Sequence, residues 1–180
     1  MTVLETTYHW YRLVSGSELE QGDILENCPV FSPPANLTLS SLETVTEFIW
    51  EQQDVIIMSQ SCDLVEGREK IEEVLLCAVW HRSDLTEGHL STDKGMEEAR
   101  RGQLPAYHVL NECKLAQVEK GFRVVDFRYV FTLPLDFCRE FAAKSQNRIR
   151  LLPPYREHLS QAFARFFMRV GLPTDIPRFR

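Results

Sequence analysis

No two cysteines in this chain are spaced as C-x-x-C. The five that occur, Cys28, Cys62, Cys77, Cys113 and Cys138, are scattered and odd in number. That pattern excludes a disulfide framework and the paired spacing of a structural zinc site. No apolar run approaches the about 20 residues needed to cross a bilayer. The opening MTVLETTYHWYRLV has neither a basic stretch nor a small-residue cleavage site, so the sequence reads as a cytoplasmic protein without a membrane partner. Also missing are a Gly-rich phosphate loop, a nucleophile elbow, a His-x-x-x-His pair, internal repeats and low-complexity linkers. No motif fixes a reaction, and neither a metal nor a cofactor is implied.

What is present is ordinary globular composition. The chain has 180 residues, 44% hydrophobic and 26% charged. That length is one domain by size and can bury about two-thirds of its unfolded surface. The net charge of −6 is unevenly placed: residues 120–180 hold 12 Lys/Arg against 5 Asp/Glu, and the acidic excess lies before them. Such asymmetry marks either a nucleic-acid face or a basic segment packed on an acidic one. Arg148, Arg150, Arg156, Arg165 and Arg169 carry the positive charge available for phosphates near or on the last helix.

Glu20, Gln21 and Gly22 read as a turn feeding a first strand at Asp23-Ile24-Leu25, which should leave the sheet at Pro29 because proline cannot continue a ladder. Residues 44–50 alternate as a strand and 54–59 form a continuous apolar one, with Glu51-Gln52-Gln53 as a hairpin between them. Residues 74–80 are another buried strand. A polar insertion over 83–104 holds a short helix at 96–101 that stops at Gly102, and strands follow at 106–110 and 122–132. Pro134 opens a short helix. After Pro153-Pro154, the apolar residues Tyr155, Leu159, Ala162, Phe163, Phe166 and Val170 recur at helical spacing, with Gly171 and Pro173 as stops. The expectation is a single α+β domain: a mostly antiparallel, barrel-like core over 20–132, with C-terminal helices over 134–172.

In order along the chain, these pieces resemble the MazF/PemK/Kid family of toxin endoribonucleases. Gly22-Asp23-Ile24 resembles the family's opening "G-D-I" strand. The segment Asp54-Val55-Ile56-Ile57-Met58-Ser59 is similar to its "P-V-V-V-I-S" strand, and residues 124–132 to its late "V-L-L-D-Q-I-R-T-V-D" strand. The final helix ends Val170-Gly171-Leu172, like the family's "L-G-L". The resemblance implies an SH3-like barrel with a terminal helix. The family's cleavage chemistry uses an Arg before the second strand's Pro and a Ser or Thr ending the third. Here those regions read Trp50-Glu51-Gln52-Gln53-Asp54 and Ala78-Val79-Trp80-His81, with neither. The implied function is a non-catalytic binding module in a bacterial regulatory, toxin–antitoxin or defence setting, with a protein partner or a second copy. The alternative is an RNA binder or endoribonuclease with a displaced site, using His81 and Arg82.

Ser59, Gln60, Ser61, Cys62, Asp63 and Leu64 form the most unusual segment, a small polar step leaving a buried strand, where binding residues are often presented. Cys62 is a candidate nucleophile beside Asp63, or a metal ligand with Cys77, Cys113 or His108. The competing reading makes the serines and Asp63 backbone caps of a turn. Arg128 shares a sheet face with Asp126, fit for an ion pair or a phosphate contact. Arg165 and Arg169 are further candidate binding residues. Trp10, Trp50 and Trp80 suit base stacking or edge cover.

Overall fold

The computed structural model describes residues 8–42 and 49–168. Its strands are β1 (Tyr11–Val14), β2 (Asp23–Ser32), β3 (Ile49–Ile57), β4 (Glu73–His81), β5 (Tyr107–Leu110), β6 (Cys113–Leu115), β7 (Val118–Lys120), β8 (Arg123–Pro134) and β9 (Arg148–Leu151). Its helices are α1 (Asp93–Arg100), α2 (Leu135–Lys144) and α3 (Tyr155–Phe167). Seven strands form one antiparallel sheet in the order β1-β9-β2-β3-β4-β8-β5, and β6 and β7 make a separate hairpin. The arrangement is α+β with a C-terminal helix, as expected. Among the described residues no helix is long and apolar enough to cross a membrane.

Alternation sorts the side chains of the central strands onto two cores. Ile56 joins Cys77, Val125, Phe127 and Leu151 on one face. Val55 and Ile57 join Leu25, Val30, Leu76 and Leu133 on the other. That two-sided burial is why residues 55–57 carry no polar side chain. α3 closes the first face: Leu159 is fully buried, and Phe163 meets Phe127 edge-on with centroids 5.3 Å apart. Leu159→Ala would cost about 2–5 kcal/mol. α2 closes the second face with Leu135, Cys138 and Ala142.

Several local expectations are corrected. β2 does not stop at Pro29 but runs through it, Pro29 lying opposite Gln52. The ladder with β9 covers only Asp23 and Ile24, so Pro29 sits on a free edge where a missing N–H is tolerated. Residues 51–53 are not a hairpin but the middle of β3; the expected strand at 44–48 lies outside the described residues. α1 starts at Asp93, earlier than expected, because the Thr92 hydroxyl accepts from the Gly95 N–H at 3.0 Å and caps it. β1, β6, β7 and β9 had no sequence expectation.

Candidate functional site

The basic C-terminal part meets the acidic N-terminal part inside the protein. Asp23 is fully buried and accepts from Arg148 Nε at 3.0 Å, from Arg150 Nη2 at 2.9 Å and from Arg150 Nε. Arg150 also pairs with Glu20, whose other oxygen takes Arg156 Nη1 at 3.1 Å. Arg148 donates further to the carbonyls of Gly16 and Glu18. Arg148 and Arg150 are thus not open to phosphates, correcting the expectation for them. Buried charges persist where paired and fully hydrogen-bonded.

The Ser59–Leu64 step is held by its hydroxyls. Ser59 Oγ accepts from the Leu75 N–H at 2.8 Å, and Ser61 Oγ from the Gln21 N–H at 3.1 Å. Ser61, Cys62 and Asp63 form a single 3-10 turn after Gln60. Asp63 pairs with Lys70 at 3.1 Å, and that hydrogen bond lowers its pKa. Cys62 is exposed, its thiol 3.4 Å from Asp63 Oδ1. Cys77 and Cys113 are buried, and no group of three or more His, Cys, Asp or Glu able to hold a metal occurs among the described residues. The two serine hydroxyls cap backbone N–H groups, while Asp63 is engaged by the Lys70 side chain.

His81 is brought to a constellation that sequence spacing did not reveal. β3 and β4 pair only at Val55, Ile56 and Ile57 and then diverge. The wedge between them is a cleft of about 280 Å³ lined by Glu26, Asn27, Gln52, Asp54, His81 and Lys120, among others. His81 Nε2 lies 3.1 Å from Asp54 Oδ2, and Asp54 Oδ1 accepts from the Asn27 N–H at 2.8 Å. Asn27 reaches that position in a left-handed conformation, φ 52°, at the bulge that shifts register between Leu25 and Cys28. Lys120 donates to Glu26 at 2.9 Å. Gln53 Nε2 spans the apex of the wedge to the Val79 carbonyl at 3.1 Å. Arg82 turns away, donating to the Ser91 carbonyl at 2.8 Å.

Beyond the cleft, β2 and β3 continue as a two-stranded arm. Phe31 lies directly opposite Trp50, so both rings stand on one face, 51% and 60% exposed. Leu39, Leu42 and Ile49 are exposed at the same end. Among the described residues, positions 49–53 of β3 have no ladder partner on the β4 side. Of the other tryptophans, Trp10 stacks on Tyr155 at 3.7 Å and Trp80 meets Tyr129 edge-on.

Arg128 stands on the bulge where β8 passes β4, clamping Asp126 through Nε at 2.9 Å and Nη2 at 2.7 Å, with its guanidinium 4.7 Å from the Tyr107 ring centre. The ion pair takes up Nε and Nη2, and the side chain stays half exposed. Arg165 is exposed on α3, far along the chain from the cleft, and Arg169 lies outside the described residues. Asn27 and Phe31 from β2, Asp54 from β3 and Lys120 from β7 were missed as site residues because only the pairing of distant strands brings them together. The one local hint was Asn27 preceding Cys28-Pro29, a residue that accepts the left-handed turn.

Comparison with known proteins yields no match: no family model, curated protein or solved structure is significantly similar to this chain.

Proposed function

We propose that this chain is a non-catalytic interaction module that captures an extended segment of a protein partner in the wedge between β3 and β4. The observation carrying this reading is the exposed Phe31–Trp50 pair beside the unpaired edge of residues 49–53. Large aromatics are seldom left in water together, and they dominate the energetics of protein interfaces. A free strand edge supplies main-chain donors and acceptors, while neighbouring side chains select the partner. Gln52, Asp54 and His81 on the cleft floor would contribute polar contacts. The reading keeps the resemblance to the MazF/PemK/Kid toxins as a relationship of fold, an SH3-like barrel in a bacterial regulatory or defence setting, without their cleavage chemistry.

A photo-crosslinking amino acid in place of Trp50, introduced in the native cell, tests it. One dominant adduct is expected, lost when Phe31→Asp is added and retained when the exposed Lys94→Ala on α1 is added. An adduct of twice the chain mass identifies the partner as a second copy. Failure to form any discrete adduct would sink the proposal.

A further inference from the structure

A second cavity lies at the edge strand β5, three strands along the sheet order from β3. It measures about 380 Å³ and sits between the C-terminal end of α1, β5 and α3. Arg100 and Arg101 come from the first, His108 from the second, and His158, Gln161 and Arg165 from the third. None of the lining residues is an Asp or Glu.

The cations of this cavity are only partly satisfied. Glu97, outside the lining, takes Arg100 Nε at 2.6 Å, Arg100 Nη2 at 2.8 Å and Arg101 Nε at 2.6 Å. Arg100 Nη1 and both terminal nitrogens of Arg101 have no hydrogen-bond partner among the described residues. Arg165 has only a long contact, 3.5 Å, to Gln161 Oε1. His108 Nε2 is buried and has no partner. His158 makes an edge-on ring contact with Tyr155. Guanidiniums from two helices and two imidazoles line this one space, with one carboxylate paired to the guanidiniums from outside it. A buried polar atom without a partner costs stability, and the exposed guanidiniums around the same space hold donors that an anion could take from water.

We infer that this cavity binds a phosphate group, in the form of a small phosphomonoester. The donors outnumber what one carboxylate would accept, whereas a tetrahedral dianion offers three oxygens to fork-shaped guanidiniums. The volume suits a phosphate with a compact organic body. The site is separate from the β3–β4 cleft and does not depend on the interaction proposed there.

Isothermal titration of the full chain at low salt tests it, with inorganic phosphate, adenosine monophosphate and adenosine as probes. Saturable binding in the millimolar range or tighter is expected for adenosine monophosphate, and none for adenosine. Equal affinity for inorganic phosphate would identify the phosphate alone as the recognised group; weaker affinity would add the organic body. Arg101→Gln and Arg165→Gln each remove one exposed guanidinium and should leave thermal unfolding unchanged. Together they should weaken binding at least about tenfold, the loss expected for charge-assisted hydrogen bonds. No saturable heat with either phosphate probe, or unaltered affinity in the double variant, would overturn the assignment. Loss of the crosslink at Trp50 would leave it standing.

Discussion

Tyr11, on the first strand of the sheet order, donates its hydroxyl hydrogen to the carbonyl of Asn111, just past the last strand, at 2.7 Å. One side-chain bond therefore ties together the two ends of the seven-stranded sheet. β1 and β5 share no ladder among the described residues, so this bond links two edges that no backbone ladder joins. Arg123 lies fully buried beside the same ring, 5.8 Å from its centre, and 3.5 Å from Glu26.

Tyr11→Phe keeps the ring and deletes the bond. The expected loss is about 1 kcal/mol, rising toward about 3 kcal/mol where the Asn111 carbonyl is shut from water. Urea unfolding measures it. An unchanged midpoint would show that packing alone holds the two edges.

Thiol reactivity should separate one cysteine from the other four. Burial pushes the Cys28, Cys77 and Cys138 thiols up to about 12, and Cys113 is buried as well. Cys62 is exposed beside Asp63. A disulfide reagent should titrate one fast thiol in the native protein and all five in denaturant. Cys62→Ser should abolish the fast phase with no change in unfolding temperature. A second fast thiol would contradict the packing of β2, β4, β6 or α2, which hold the four buried cysteines.

The elements legible in the sequence were those whose own periodicity matches their surroundings. α3 shows its buried face through Leu159, Phe163 and Phe166, and residues 55–57 and 74–80 show two-sided burial as unbroken apolar runs. β9 was illegible because Arg148 and Arg150 read as surface cations. They become interior only through Asp23, 125 and 127 residues away. β2 was cut short at Pro29 because nothing local says that its β9 side is free there. His81 was visible as a strand-end histidine, but its partner Asp54 comes from another strand and is recognisable only once β3 and β4 are paired and seen to part.

Acid should expose the burial of His108. Desolvation, with His158 as the lesser cause, pushes its pKa down to about 4. Arg100, Arg101 and Arg165 line the same cavity, with no carboxylate among its lining residues. Above the ordinary value of about 6.5, His108 is neutral in both the folded and the unfolded chain. As the pH falls from there toward about 4, only the unfolded chain gains the proton, so stability decreases with falling pH. Below that range the folded state protonates too and the loss levels off. His108→Gln should remove this component: the stability difference between pH about 7 and about 4.5 becomes smaller than in the wild type. Parallel urea curves at the two values check it, and equal differences in both proteins would refute it.

The last expectation concerns RNA. Cleavage by attack of a 2′-hydroxyl requires a base, an acid and positive charge at the scissile phosphate. The cleft supplies an imidazole oriented by a carboxylate, His81 on Asp54, but the charge beside it has the wrong sign. Glu26, Asp54 and Asp84 line the space against Lys120, and Lys120 is committed to Glu26. Arg82, the nearest cation in sequence, is held by the Ser91 carbonyl and by Asp93 at 3.6 Å. Loss of one such stabilising group commonly costs about a hundredfold or more in rate. The purified protein in excess over a long single-stranded RNA should therefore leave no discrete 5′ ends above background. Sites of cutting that disappear in His81→Ala, and persist in Trp50→Ser, would overturn the non-catalytic reading. They would place His81 and Asp54 in the chemistry, with the phosphate charge met by a group brought in with the substrate.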